Sequence, residues 1–272
     1  MNTHQFSGLT NLYNNWDNVI TVAHRGASGC YPENTILSMR KAIQCGADMI
    51  EFDLRASKDG IPILLHDNTL NRTSDMQGKP EEYSLAQLRC GNFSHYIYGT
   101  DYKSGKEVSK PVYRSMKIPT FEDILQQFRG QTAMNIQVYA EQSVIKEICH
   151  LYKQYQMYDQ GYLTLATMKD IDFVKSIDPK IEICYTPGWE DRSSPENLKL
   201  CKKIGCRFVQ PVADFSDPCV FDLCNELKLR TIVFRSNTED MNYKLVKLGA
   251  TGILSDRVDI LIDSLKEMKK YE

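Results

Sequence analysis

The stretch VITVAHRGASGCYPENTILSMRKAIQCGADMIEFDL, from Val19 to Leu54, joins two short apolar runs, Val19–Ala23 and Met49–Leu54. The segment between them opens at Pro32 and Glu33, sets Ile36, Met39 and Ile43 on one helical face, and closes at Gly46. That is a strand, a helix and the next strand. Working outward, the same alternation continues with apolar runs at Ala133–Val138, Tyr162–Leu165, Ile181–Tyr185, Phe208–Val212, Thr231–Phe234 and Gly252–Leu254, eight in all. Eight runs suit a closed TIM (β/α)8 barrel of the α/β class. A final segment, Val258–Met268, carries Leu261, Leu265 and Met268 at helical spacing and is expected to pack on the outside.

One more apolar run, Ile61–Leu65, follows Lys58-Asp59-Gly60 rather than a helix. Asp-Gly is a tight-turn signal, so this run reads as the return strand of a β-hairpin after the second strand. A turn centred near Asp59 brings His66 opposite Glu51 and Phe52, within a residue or two of register. Residues 67–117 are too long for an ordinary connection and rich in Gly, Ser, Tyr and charge, so they are read as an inserted cap or loop over the site.

The chain has 272 residues, and barrels of about 250 residues commonly form one unit, so 1–272 reads as a single domain. Hydrophobic residues at 42% and charged residues at 25% allow a core that needs no staples. A formal charge of −2 excludes a general basic field for nucleic acid or an anionic membrane, so any phosphate must be bound locally. Nine cysteines, odd in number and without a CxxC pair, read as buried free thiols in a reducing compartment. No basic start followed by an apolar run occurs within Met1–Asp17, and no later run of about 18 apolar residues suggests a membrane span. A cytoplasmic location is expected, with a removed signal peptide left open; the oligomeric state is not legible.

His24 and Arg25 directly follow the first strand, where barrel enzymes keep their catalytic groups. Glu51 and Asp53, two apart on a strand, point to one face, and a carboxylate pair aimed into a barrel is costly unless something positive meets it. A divalent metal is one partner, and oxygen-only donors favour Mg²⁺ or Ca²⁺ over zinc. An ion pair with Arg25 or Arg55 is the other. His66-Asp67 ends the hairpin and brings a second imidazole to the carboxylates. Two histidines flanking a phosphodiester can divide the proton transfers, one taking a proton from the attacking hydroxyl and one giving a proton to the departing alkoxide, while Arg25 neutralises phosphate oxygens. His4, His95 and His150 have no comparable setting and read as incidental.

In order along the chain stand His24-Arg25-Gly26, Pro32-Glu33-Asn34-Thr35, Glu51-Phe52-Asp53, Lys58-Asp59-Gly60, His66-Asp67 and Asn71-Arg72-Thr73. This series resembles the glycerophosphodiester phosphodiesterase family. The resemblance continues through Ile118-Pro119-Thr120-Phe121-Glu122 and Gly249 to Asp256, covering roughly residues 20 to 262. It implies a barrel, a divalent metal held by Glu51 and Asp53, and His24 and His66 as general acid and base on a small-molecule glycerophosphodiester. Related members attack with the substrate's own hydroxyl and pass through a cyclic phosphate, and the sequence does not choose between the routes.

Two departures matter. The family's third barrel strand carries N-x-E-x-K, where this chain has Asn135-Ile136-Gln137-Val138-Tyr139, so one anion and one cation are replaced together. Metal binding should weaken, because affinity for hard cations follows ligand charge. The Gln137 amide, or Glu141 if the strand extends that far, are the candidates to complete the metal site. On the seventh strand the family's W-T-x-N becomes Phe234-Arg235-Ser236-Asn237, and Arg235 is either a phosphate-binding replacement for the lost lysine or a surface residue. The leading function is therefore metal-dependent glycerophosphodiester hydrolysis. The alternatives are an impaired member that binds a phosphorylated ligand, and a phospholipase-type relative that releases a cyclic phosphate.

Overall fold

The structure, a computed structural model, describes residues 6, 8–100 and 107–270. Among these the strands are β1 (Ile20–Ala23), β2 (Met49–Ala56), β3 (Pro62–Leu64), β4 (His95–Thr100), β5 (Glu107–Pro111), β6 (Ala133–Val138), β7 (Gly161–Leu165), β8 (Ile183–Tyr185), β9 (Phe208–Val209), β10 (Arg230–Thr231), β11 (Val233–Phe234) and β12 (Gly252–Ser255). The helices are α1 (Leu9–Asn14), α2 (Ile36–Cys45), α3 (Leu85–Leu88), α4 (Phe121–Phe128), α5 (Gln142–Gln154), α6 (Met168–Ile177), α7 (Pro195–Lys203), α8 (Pro218–Glu226), α9 (Glu239–Lys247) and α10 (Val258–Met268).

A parallel sheet curls in the order β11-β12-β1-β2-β6-β7-β8. β9 pairs with β10, and the ladder continues through Ile232 N–H to Val209 O and Phe234 N–H to Pro211 O, both 2.8 Å. β9 in turn packs beside β8, which completes the wall of a (β/α)8 barrel. All eight expected runs are wall segments, the seventh being split at Ile232 into β10 and β11. Strands β1, β6, β7 and β12 are buried along their whole length, because helices cover the outer face and side chains fill the inner one.

The lower interior is apolar, with Val22, Met49, Ala133, Tyr162, Phe208 and Leu254 packed against Leu9 of α1. α1 thus closes that end. Arg230, fully buried, donates to the carbonyls of Asn15, Asn18 and Thr251 and clamps the chain after α1 to the floor. Burial without a carboxylate partner brings its pKa down to about 10.

α2 begins later than Pro32 and Glu33 suggest. Thr35 is its N-cap, its hydroxyl accepting from Ser38 N–H at 3.1 Å, and Asn34 before it is left-handed with φ 54°. Pro32–Asn34 therefore form a turn that leaves Glu33 and Asn34 free to face inward. Gly46 ends the helix in the left-handed region, φ 93°. α10 packs against α9 and α2.

The hairpin has the expected register, pairing Leu54 with Leu64 and Ala56 with Pro62. Leu65 N–H reaches Asp53 O at 3.1 Å, so His66 arrives at the level of Phe52. The inserted segment is folded where it is described. Leu70, Leu88 and Phe93 form an apolar cluster with Ile63, Leu65 and Ile118, and β4 pairs antiparallel with β5; residues 101–106 lie outside the described residues, as does His4. The cysteines are free, but Cys30, Cys45, Cys90 and Cys219 are exposed rather than buried, because they sit on the outer faces or ends of helices and turns. No helix among the described residues is long and apolar enough to cross a membrane.

Candidate active site

Parallel pairing sets the inner face of the barrel's upper half. β2 and β6 pair Glu51 with Asn135 and Asp53 with Gln137, so the carboxylates and the two amides lie side by side. Glu51 and Asp53 are both buried. Glu51 Oε2 accepts from the Arg25 N–H at 2.8 Å, and Asp53 Oδ2 accepts from Asn34 Nδ2 at 2.8 Å with Arg25 Nε at 3.2 Å. Asn34 Oδ1 also takes the Asp53 N–H at 3.1 Å. Arg25 and Asn34 hold left-handed backbone, φ 54° each, uncommon outside glycine, and each thereby turns a donor onto the carboxylate pair.

One oxygen of each carboxylate, Glu51 Oε1 and Asp53 Oδ1, has no hydrogen-bond donor among the described residues. Burial, reinforced by the Asp53 charge, pushes the Glu51 carboxyl well above the usual range. The ion pair with Arg25 that the sequence left open is therefore present, but it is shared. Arg25 also bonds Glu33 Oε1 at 2.8 Å and leaves the carboxylate pair in excess of positive charge.

The two histidines are anchored alike. His24 Nδ1 is bonded to Asp256 Oδ1, and His66 Nδ1 to Asp67 Oδ1 at 2.8 Å, which leaves Nε2 of each ring for a ligand. Strand closure makes the first pair. β1 and β12 align Ala23 with Ser255, and His24 and Asp256 stand one step further on. Burial lowers the His24 pKa, although Asp256 acts to raise it. Asp256 also accepts from Asn237 Nδ2 at 2.7 Å and pairs with Arg235 Nη1 at 3.0 Å; burial works to raise its pKa, but His24 above all, with Arg235 and Asn237, outweighs it and holds the carboxyl well below the usual range. His66 is braced by Arg55, whose Nε donates to its carbonyl at 2.7 Å, and its ring meets Tyr139 edge-on at 5.6 Å.

A cleft of about 470 Å³ opens above, lined by Arg25, Glu33, His66, Arg72, Arg235 and Asp256 together with His95. Arg72 clamps Glu33 with both terminal nitrogens, at 2.6 and 2.8 Å, and Asp67 with Nε at 2.7 Å. Burial works to raise the Glu33 pKa, but Arg72 and Arg25 outweigh it and bring it to about 2.

Of the residues singled out in the sequence, His24, Arg25, Glu51, Asp53, His66 and Gln137 lie together, and Arg235 lines the cleft in an ion pair. Glu141 does not join them. β6 ends at Val138, and Glu141 is the exposed N-cap residue of α5, so strand alternation does not carry it inward. Two groups escaped sequence reading. Asp256 is 232 positions from His24 and only barrel closure joins them. His95, read as incidental, lines the cleft from the insertion, whereas His150 is on an exposed position of α5.

The model of the Glycerophosphoryl diester phosphodiesterase family matches residues 24–260, beginning on His24 itself. The chain belongs to this family. A glycerophosphodiester phosphodiesterase of Bacillus altitudinis is 26% identical over 254 residues, covering 91% of this chain and 98% of that protein. One of Bacillus subtilis (strain 168) is 41% identical over 115 residues, which are 41% of this chain and only 37% of that protein's length. Among solved structures, an Oleispira antarctica phosphodiesterase in complex with the product sn-glycerol-3-phosphate superposes with a TM-score of 0.77 at 23% identity, covering 94% of this chain and 99% of that one. That likeness is one of fold. The matched span includes His24, His66, Glu51 and Asp53, together with Gln137 and Tyr139 at the third barrel strand.

Proposed function

We propose that the protein hydrolyses glycerophosphodiesters to an alcohol and glycerol phosphate, with His24 and His66 as the proton-transfer pair. The observation that carries this reading is the pair of His–Asp contacts, His24–Asp256 and His66–Asp67, in a barrel end that also buries the carboxylate pair. Each aspartate fixes Nδ1 as the protonated nitrogen and stabilises the imidazolium that forms when Nε2 takes a proton. His24, whose pKa is lowered by burial, is neutral at neutral pH and suited to accept the proton of the attacking water. His66, beside the open cleft, then gives a proton to the departing alkoxide. Arg25 and Arg235 face the phosphate from the cleft wall.

A divalent cation fits the residues beneath. Two buried carboxylates each keep an oxygen without a donor, and Gln137 stands beside Asp53. No group of three or more His, Cys, Asp or Glu side chains among the described residues shares a metal position, so the donors are Glu51, Asp53 and the neutral Gln137 amide. Oxygen donors suit Mg²⁺ or Ca²⁺, which when bound would supply Lewis-acid stabilisation of charge on the phosphate. With one charge fewer among the donors, the affinity should be modest.

The test is turnover of glycerophosphocholine and glycerophosphoethanolamine with Mg²⁺, Ca²⁺ or Mn²⁺ and after chelation, with His24→Ala, His66→Ala and Gln137→Glu alongside. Wild-type turnover that needs a metal and falls by about 10²- to 10⁴-fold in either histidine variant is expected, as is tighter metal binding by Gln137→Glu. A wild type inert with every metal refutes the reading, and if Gln137→Glu then turns over, the chain is a ligand-binding member with an impaired site. Release of a cyclic phosphate in place of glycerol phosphate would assign it to the phospholipase type.

A further inference from the structure

The guanidinium groups that line the cleft are matched by carboxylates. Arg25 has Glu33 and Asp53, Arg72 has Glu33 and Asp67, and Arg235 has Asp256. Arg192 is different. It is partly buried in the short turn after β8, at the C-terminal end of the barrel, and no carboxylate lies within ion-pair distance of it among the described residues. Its Nε donates to Pro187 O at 3.0 Å, and its planar head lies over the Trp189 ring at 4.6 Å. Both terminal nitrogens are left over.

The contacts around Arg192 lead to both histidines. Trp189 packs on Phe234 at 4.8 Å, and Phe234 meets His24 edge-on at 5.3 Å. On the other side the Arg192 charge acts on the Tyr139 hydroxyl, which also feels Asp53 and Glu51, and the Tyr139 ring faces His66. Tyr139 is the position where the family pattern has its strand lysine. A partly buried cation without an anion beside it costs free energy, and a planar guanidinium whose two terminal nitrogens have no protein partner among the described residues is shaped for a phosphate.

We infer that Arg192 supplies the phosphate-facing positive charge of the missing strand lysine, a role that rests on the hydrolysis proposed above. Arg235 shares its charge with Asp256, whereas Arg192 has no carboxylate partner among the described residues. The charge has moved from the third barrel strand to the loop that follows the fifth.

The experiment compares the wild type with Arg192→Gln and Arg192→Lys. kcat/KM is measured on glycerophosphocholine, glycerophosphoethanolamine and glycerophosphoserine, and the melting temperature with and without sn-glycerol 3-phosphate. Arg192→Gln should lower kcat/KM roughly 10- to 100-fold on all three substrates alike, as loss of a charge-assisted phosphate contact does. Arg192→Lys should recover part of it. The rise in melting temperature produced by sn-glycerol 3-phosphate should vanish in Arg192→Gln, with the ligand-free melting temperature unchanged or higher. A loss confined to glycerophosphoserine would place Arg192 at the alcohol's carboxylate and overturn the inference. A wild type that shows no rise, a variant that keeps the rise, or a fall in ligand-free stability as the only effect would also overturn it. If the wild type turns over none of the substrates yet shows an Arg192-dependent rise, the hydrolysis reading fails while the anion site stands.

Discussion

Glu33 offers the most direct test of how the charged rim is held together. Its Oε1 accepts from Arg25 Nη1 and Arg72 Nη2, both at 2.8 Å, and its Oε2 from Arg72 Nη1 at 2.6 Å, with only 15% of the side chain exposed. Gln in its place keeps the shape but turns an amide N–H₂ toward guanidinium donors. The drop in the Glu33 pKa from 4.5 to about 2 corresponds, at about 1.4 kcal/mol per pH unit, to on the order of 3 kcal/mol of native-state stabilisation. Because the folded value lies below the unfolded one, that stabilisation is full above pH 4.5 and is lost as the pH falls toward about 2. By linkage about 2 kcal/mol of it is gone at pH 3. Urea unfolding of wild type and Glu33→Gln at pH 7 and pH 3, in buffer free of phosphate, should give a difference on the order of 3 kcal/mol that shrinks to about 1 at the lower pH. A difference below about 1 kcal/mol at pH 7, or one that is equal at both values, would refute the idea that Glu33 works as an ionised clamp.

Three further outcomes are expected. Asp256→Asn should reduce kcat on the order of 100-fold and, because Asp256 raises the His24 pKa, shift the acidic limb of the kcat/KM profile to lower pH; an unmoved limb would detach His24 from the base role. Gly26→Ala should be strongly destabilising in thermal unfolding, since a Cβ there meets the Ser38 backbone at 2.6 Å at φ +77°, whereas Gly60→Ala, with nothing within 4 Å, should cost only about 1 kcal/mol of backbone strain. Arg230→Met should lose several kcal/mol by leaving the carbonyls of Asn15, Asn18 and Thr251 without donors, and equal stability of the two proteins would contradict the clamp.

The barrel was legible because its strands are buried on both faces, which writes them as unbroken apolar runs that periodicity can find. The hairpin was legible because Lys58-Asp59-Gly60 permits few alternatives, and its register then placed His66 without any knowledge of the rest. Local chemistry misled at Pro32, where a helix start was read one turn early. Proline tolerates the first turn, but the Thr35 hydroxyl is the better cap, and the left-handed Asn34 separates the two. Glu141 failed for a similar reason, since alternation holds only while the strand lasts and β6 ends three residues before it. Asp256, His95 and Arg192 were beyond reach of pattern. Their roles depend on which loops meet at the rim, and nothing local to Arg192 distinguishes a phosphate ligand from an ordinary loop arginine. The replacement for the lost lysine was sought at Arg235, which does line the cleft in an ion pair with Asp256, while the guanidinium without a carboxylate partner stands on another strand's loop.

The floor formed by Leu9 of α1 and the Arg230 clamp gives the barrel a blind end among the described residues. A molecule bound at Glu51 has one route in and the same route out. Under the proposed hydrolysis both products leave past the rim by which the next diester enters. A product that lingers there would compete with the next diester, to an extent set by its affinity for the site.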